Sequence, residues 1–200
     1  MKRLLVLIFS VLLSGFSLAQ TPLLDSVALA LYNEYTDLKE ALKQPDEVIK
    51  LSLRKQGLKE FPKEVLKLKN LQYLDLSKNK IESLPDSIVQ LKHLQVLIVS
   101  KNELVALPNN IGSLSNLRYF KAGQNQIARI PFSFGNLEKL EYLDFWDNEL
   151  DYFPESLNKL VNLEVMDLRN ILISQDNQNY IQGLLPNTKI YFSPACQCAW

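Results

Sequence analysis

The sequence predicts an α/β solenoid, in which short coils stack in line with a parallel sheet along one side and apolar side chains filling the interior. Three observations lead there. The chain aligns on itself at a shift of 23 residues, giving five similar segments and a degraded sixth that begin at Val48, Leu71, Leu94, Leu117, Leu140 and Leu163. Proline recurs in step at 62, 85, 108, 131 and 154. An amide recurs at the ninth position of each segment, as Gln56, Asn79, Asn102, Asn125 and Asn148.

Each recurring position has a physical task. The fourth and sixth residues (Leu51/Leu53, Leu74/Leu76, Leu97/Val99, Phe120/Ala122, Leu143/Phe145, Met166/Leu168) alternate like the inner face of a short strand. The ninth-position amide follows the strand, where the chain turns inward, and is expected to bond backbone groups of its own coil and the next. Proline stiffens the return path, where no ladder hydrogen bond is needed. The eighteenth and twenty-first residues, such as Ile88/Leu91 and Phe134/Leu137, fill the core from the convex side. No coil buries these groups alone, so stability comes from stacking and the two ends need caps.

Upstream, Leu24, Val27, Leu31, Tyr35, Leu38 and Leu42 recur at helical spacing through Lys43 and Pro45 ends the run, which predicts an amphipathic helix over the first coil. Downstream, Ile171 takes the ladder position with Asn170 one residue early. Ser174 can cap a helix to about Leu185 with Tyr180, Ile181, Leu184 and Leu185 inside, and Lys189 to Phe192 read as a closing strand. The organisation expected is a signal peptide over 1–19, an N-terminal helical cap over 20–47, repeats over 48–170, a helix-strand cap over 171–193 and a tail over 194–200.

With these motifs set out, the chain resembles the leucine-rich-repeat superfamily, and within it small secreted bacterial proteins, from about Asp37 to Phe192. Residues 41–48 look like the opening segment of such proteins and residues 184–192 like their closing segment. Gln56 and Ile171 depart from the asparagine pattern, both at ends. The resemblance implies a horseshoe with a parallel concave sheet, and protein binding or adhesion on that concave face.

The first residues have the layout of an export signal. Lys2 and Arg3 precede an apolar run from Leu4 to Leu13, and Ser17 and Ala19 supply small residues before a cut that leaves Gln20 first. The expected location is periplasmic or extracellular, with no membrane span once the signal is removed. The chain carries 22 basic and 22 acidic side chains, and loss of Lys2 and Arg3 leaves a formal charge of −2. Nothing in that balance suggests nucleic acid or an anionic membrane as partner. The only cysteines, Cys196 and Cys198, sit in the tail, so the core holds without internal bridges. A local disulfide, an intermolecular bridge and an inert tail are the readings of the pair, the last two being favoured.

Strand residues pointing away from the core define the candidate site. Tyr73, Val96, Ile98, Tyr119, Tyr142 and Trp146 form an apolar and aromatic strip, and Lys121, Asp144 and Asp167 lie in the row beside it. Aromatic side chains with a polar tip are favoured at interfaces. Tyrosine at the third position is also good strand material, so the strip has a purely structural reading as well. Basic residues at Lys50, Arg54, Lys55, Lys78 and Lys101 and acidic ones at Asp144, Asp147 and Asp167 polarise the face from one end to the other.

No catalytic constellation is visible. The single histidine, His93, falls on a connection with no serine or cysteine nucleophile beside it, and no Walker sequence or H-E-x-x-H occurs. No cofactor and no metal are expected. The function expected is non-catalytic binding of a protein or cell-surface polymer by a monomer. The alternative is a structural or self-associating envelope protein with no dedicated concave-face ligand.

Overall fold

The computed structural model describes residues 22–196. Every segment opens with a short strand where the inward and outward residues alternate: β2 (Lys50–Ser52), β3 (Tyr73–Asp75), β4 (Val96–Ile98), β5 (Tyr119–Lys121), β6 (Tyr142–Asp144) and β7 (Val165–Leu168). With β1 (Glu34–Tyr35) before them and β8 (Lys189–Phe192) after, they pair in parallel, in chain order, as one eight-stranded sheet. The register repeats without slippage, so Tyr73 faces Val96, Tyr119 faces Tyr142 and Tyr142 faces Val165. Rows of like side chains therefore run across the sheet.

The inward rows are the core. Leu51, Leu74, Leu97, Phe120, Leu143 and Met166 are fully buried, as are Leu76, Val99, Ala122, Phe145 and Leu168. Phe120, Phe134 and Phe145 cluster with ring centroids 5.8–5.9 Å apart. Ala122, the smallest of its row, leaves room beside them, as close packing requires.

The asparagine ladder closes the turn after each strand. Asn102 Nδ2 donates to the carbonyls of Val99 (2.8 Å) and Leu76 (3.0 Å), and its Oδ1 accepts the Ile81 amide (3.0 Å). Asn125 and Asn148 make the corresponding sets. The ladder thus ties each coil to the preceding one rather than to the next, because the carbonyls left open by the inward turn lie on that side. Gln56 keeps the pattern at the end of the stack, where its longer side chain reaches the Thr36 carbonyl (2.8 Å).

One residue before each ladder position the backbone is left-handed. Lys55, Lys78, Lys101, Gln124, Asp147 and Asn170 have φ between 57° and 60°. Such non-glycine residues are strained, and beside Lys78, Lys101, Gln124 and Asp147 the bonds of the ladder asparagine hold the turn in place.

The return path runs from proline into a short 3-10 turn (Lys63–Lys67, Asp86–Gln90, Ile111–Ser113, Phe132–Asn136, Glu155–Lys159). Two of these turns need glycine. A Cβ on Gly112 would lie 1.8 Å from the Ser133 carbonyl oxygen, and one on Gly135 would lie 2.1 Å from that of Ser156.

The N-terminal cap differs from the continuous helix that the spacing predicts. It is α1 (Ser26–Leu31), then β1, then α2 (Leu38–Ala41). Asp25 caps α1 by accepting the Ala28 amide, and Asp37 caps α2 by accepting those of Lys39 and Glu40. Between them Tyr35 pairs with Leu51 at the sheet edge, and edge pairing outweighs helical propensity for this stretch. The inner face changes accordingly. Val27 and Leu31 are 69% and 82% exposed, while Leu29 is 6% exposed.

The C-terminal end follows expectation more closely. Ser174 accepts the Asn177 amide and opens α3 (Gln175–Leu184), and β8 pairs with β7. Ile181 and Leu185 are buried, but Tyr180 is 44% exposed and does not belong to the inner face. The tail is not inert: Cys196 is disulfide-bonded, and its backbone bridges to Ser174 with its amide donating to the Ile173 carbonyl. Cys198 and the proposed signal segment lie outside the described residues.

Candidate functional site

The outward rows of β2 to β8 make the concave face. At its centre the rings of Tyr119 and Tyr142 stack with centroids 6.5 Å apart and an interplanar angle of 29°. Lys121 Nζ lies 5.2 Å from the Tyr142 ring centroid, within cation–π range. Ile98 pairs with Lys121, which pairs with Asp144, so apolar, basic and acidic groups follow one another along one row. Ile98, Tyr119, Lys121, Tyr142, Asp144 and Trp146 are all half-buried, neither core nor fully solvated.

The fifth-position aspartates have a structural task that the repeat pattern alone does not disclose. Asp75, Asp144 and Asp167 accept the backbone amides of Ser77, Trp146 and Arg169 at 2.7, 2.9 and 3.1 Å. These bonds shape the strand ends. Asp167 is 5% exposed, and Arg169 closes over it through Nε (2.9 Å) and Nη2 (2.5 Å). Gly123 makes room for Asp144, since a Cβ there would lie 2.9 Å from Asp144 Oδ1.

Burial raises the Asp144 pKa above its ordinary value of 3.8, and the neighbouring Asp167 adds to this, while the Trp146 amide, Lys121 and Arg169 oppose it. Folding therefore strengthens proton binding at this carboxyl relative to the unfolded chain. Its stabilising contribution is complete below the ordinary value and is lost as pH rises through the higher folded value. Asp144→Asn, whose amide oxygen still accepts the Trp146 bond, is expected to gain on the wild type as pH rises from about 4 to about 7. Denaturant titrations at the two pH values read this directly, and a constant difference would contradict it.

The first part of the face is covered by the chain itself. Tyr73 and Val96 lie beneath α1, with Leu29 and Ala30 against them. Burial, followed by the carboxylates of Asp75 and Glu34, pushes the Tyr73 pKa up to about 12. Lys50 pairs with Glu34 (3.6 Å) and Arg54 approaches Asp75 (3.9 Å), so part of the expected basic end is already matched. Lys55, Lys78 and Lys101 remain exposed at the left-handed positions, facing Asp147 at the far end of the same row. The polarity survives along that rim.

Two contributors lie outside the repeat count. Tyr191 on β8 is in register with Asp167 and so continues the outward row. Lys189 Nζ lies 4.9 Å and the Arg169 guanidinium 5.5 Å from its ring centroid. The alternation of Lys189 and Tyr191 with Ile190 and Phe192 is the signal that points to it. Among the described residues no group of three His, Cys, Asp or Glu side chains could hold a metal, and no helix is long and apolar enough to cross a membrane. His93 sits alone on its connection, its Nδ1 buried without a hydrogen-bond partner.

Comparison with known proteins matches this geometry. A family model described as a leucine-rich repeat region matches residues 48–116. A leucine-rich-repeat protein of Leptospira interrogans is similar in structure, with 28% identity and a TM-score of 0.66 over 83% of this chain and 49% of that one. The plant peptide hormone receptor RGFR1, solved in complex with RGF2, is similar at 27% identity and a TM-score of 0.58 over 67% of this chain and 22% of that one. The chain thus spans about half the length of the first and about a fifth of the second. No curated protein sequence matches it. The coils, the parallel sheet and the asparagine ladder give this chain the leucine-rich-repeat solenoid fold of these neighbours.

Proposed function

We propose that this chain is an exported, non-catalytic binding module whose concave face holds another protein. One observation carries the reading: Tyr119, Tyr142 and Trp146 stand half-buried on an open sheet face, where the ladder and core do not require them. Large rings with polar tips in such a setting are what binding surfaces concentrate, because they bring contact area at low entropic cost. The similarity to RGFR1, a receptor solved with a peptide hormone, supports a protein or peptide partner over a cell-surface polymer. Export is supported by Lys2, Arg3, the apolar run after them and the small residues at Ser17 and Ala19. Self-association through the tail cysteines draws no support from Cys196, which is already disulfide-bonded.

The test compares the chain from Gln20 with a Tyr119→Ala, Tyr142→Ala, Trp146→Ala version as bait for partners from the producing cell's envelope and medium. The triple substitution is expected to abolish capture while both baits melt as cooperative solenoids. Equal capture by the two would overturn the assignment of the concave face.

A further inference from the structure

The segment before α1 makes contacts that the repeat does not need. Gln72 and Gln95 hold the second position of their coils and are buried. Their carboxamides serve the backbone of residues 22–24. Gln72 Oε1 accepts the Leu24 amide (2.9 Å) and Gln72 Nε2 donates to the Pro22 carbonyl (3.1 Å). Gln95 Nε2 donates to the Leu24 carbonyl (2.8 Å) and also to Gln72 Oε1 (2.8 Å). Two side-chain amides thus grip an extended main chain much as a neighbouring strand would. The same position carries Arg118 and Glu141 in later coils, where they satisfy each other as an ion pair (2.6 Å). Only the coils beneath this segment carry glutamine at that position.

Leu29, five residues beyond Leu24, is the apolar anchor of the segment, packed beside Tyr73, Val96 and Tyr119. It does not fill its place. A mainly apolar hollow of about 270 Å³ remains between α1 and the sheet, lined by these residues with Ser26, Ala30, Lys50, Gln95 and Arg118. The six-residue α1 is too short to be stable by itself, and its Val27 and Leu31 face outward. The segment is held by three backbone bonds and one underfilling leucine.

We propose that residues 22–31 are a self-ligand seated in a peptide-binding site at the β3–β5 end of the concave face, which shares Tyr73 and Tyr119 with the tyrosine row. The site takes a segment of another protein that is extended where residues 22–25 lie, turns into a short helix as α1 does, and carries a large, preferably aromatic, side chain where Leu29 sits. Such a segment makes the same glutamine bonds, fills the hollow more completely and displaces residues 22–31. This inference goes beyond the concave-face reading and stands whether or not Tyr142 and Trp146 touch a partner.

The test uses the full chain and a fluorescently labelled synthetic peptide of residues 21–33, with a second peptide carrying Leu29→Trp. Leu29→Asp in the protein loosens its own segment, and Leu24→Pro, which removes the amide held by Gln72, does so without touching the apolar contact. Either variant is expected to bind the labelled peptide at least tenfold more tightly than the wild type, and the tryptophan peptide more tightly again. Adding Gln72→Leu with Gln95→Leu is expected to abolish that binding. Equal or absent binding to the wild type and both loosened variants would overturn the proposal, as would binding that survives the glutamine substitutions. A concentration-dependent dimer of the wild type, formed by exchanging these segments between copies, would also overturn it, since the site would then serve self-assembly.

Discussion

Asn102→Ala is expected to lower the stability of the solenoid by about 3–5 kcal/mol, because it leaves the Leu76 and Val99 carbonyls and the Ile81 amide buried without partners. At the scale of this chain that is a fall of roughly 10 °C in Tm. The loss is large because the three groups belong to two coils, so the side chain fastens one repeat to another as well as closing its own turn. Asn116→Ala provides the contrast. Its amide also reaches back one coil, to the Lys92 carbonyl (2.8 Å), but that bond is exposed and water replaces it. The expected cost there is about 1 kcal/mol or less. Thermal or urea melts of the two variants check the pair, and an Asn102→Ala curve that overlays the wild type would sink the ladder account.

Gly112→Ala is expected to cost about 2–3 kcal/mol, from a methyl group alone. The added carbon would fall 1.8 Å from the Ser133 carbonyl oxygen, and a backbone carbonyl has no rotamer to escape into. The convex turns of adjacent coils would have to separate, opening the packing around Phe134 that the close approach secures. Gly183→Ala has the opposite sign. It lies within α3 with nothing within 4 Å of an added Cβ, so the gain in helix propensity is about 0.5–1 kcal/mol. Measuring both by denaturant melts separates a steric origin from any general effect of replacing glycine. Two shifts of the same sign would contradict the close-approach reading.

The legible part of this protein is the part that repeats. Strand positions, the asparagine ladder and the return prolines all follow from one period, because each coil makes the same contacts with its neighbour. The closing strand Lys189–Phe192 and the Ser174 cap are also readable, since their signals are local. What the pattern hides is what happens once per molecule. The spacing of Leu24, Val27, Leu31 and Tyr35 fits a helix, yet pairing of Tyr35 with Leu51 is a contact between distant residues that spacing does not register.

The candidate site divides in the same way. Its rows of outward residues are correct in register because a period of two sets which side chains face out. Their individual situations depend on single neighbours. Asp167 looks like a free carboxylate in the sequence but is occupied by Arg169, whose side chain folds back only in three dimensions. Tyr73 and Val96 look as open as Tyr142 until α1 is laid across them. The glutamines at 72 and 95 carry no signal by themselves, being polar residues at a strand start, until the Leu24 backbone is placed beside them.

The most direct measurement of the concave-face claim is the fluorescence of Trp146 on adding a captured partner. The chain has only one other tryptophan, so a Trp200→Phe background leaves Trp146 as the sole reporter. A partner seated on the concave face removes water from that indole, and the expected result is a blue-shifted emission that saturates with binding. A partner that binds with equal affinity while the Trp146 emission stays unchanged would place the interface elsewhere and contradict the account.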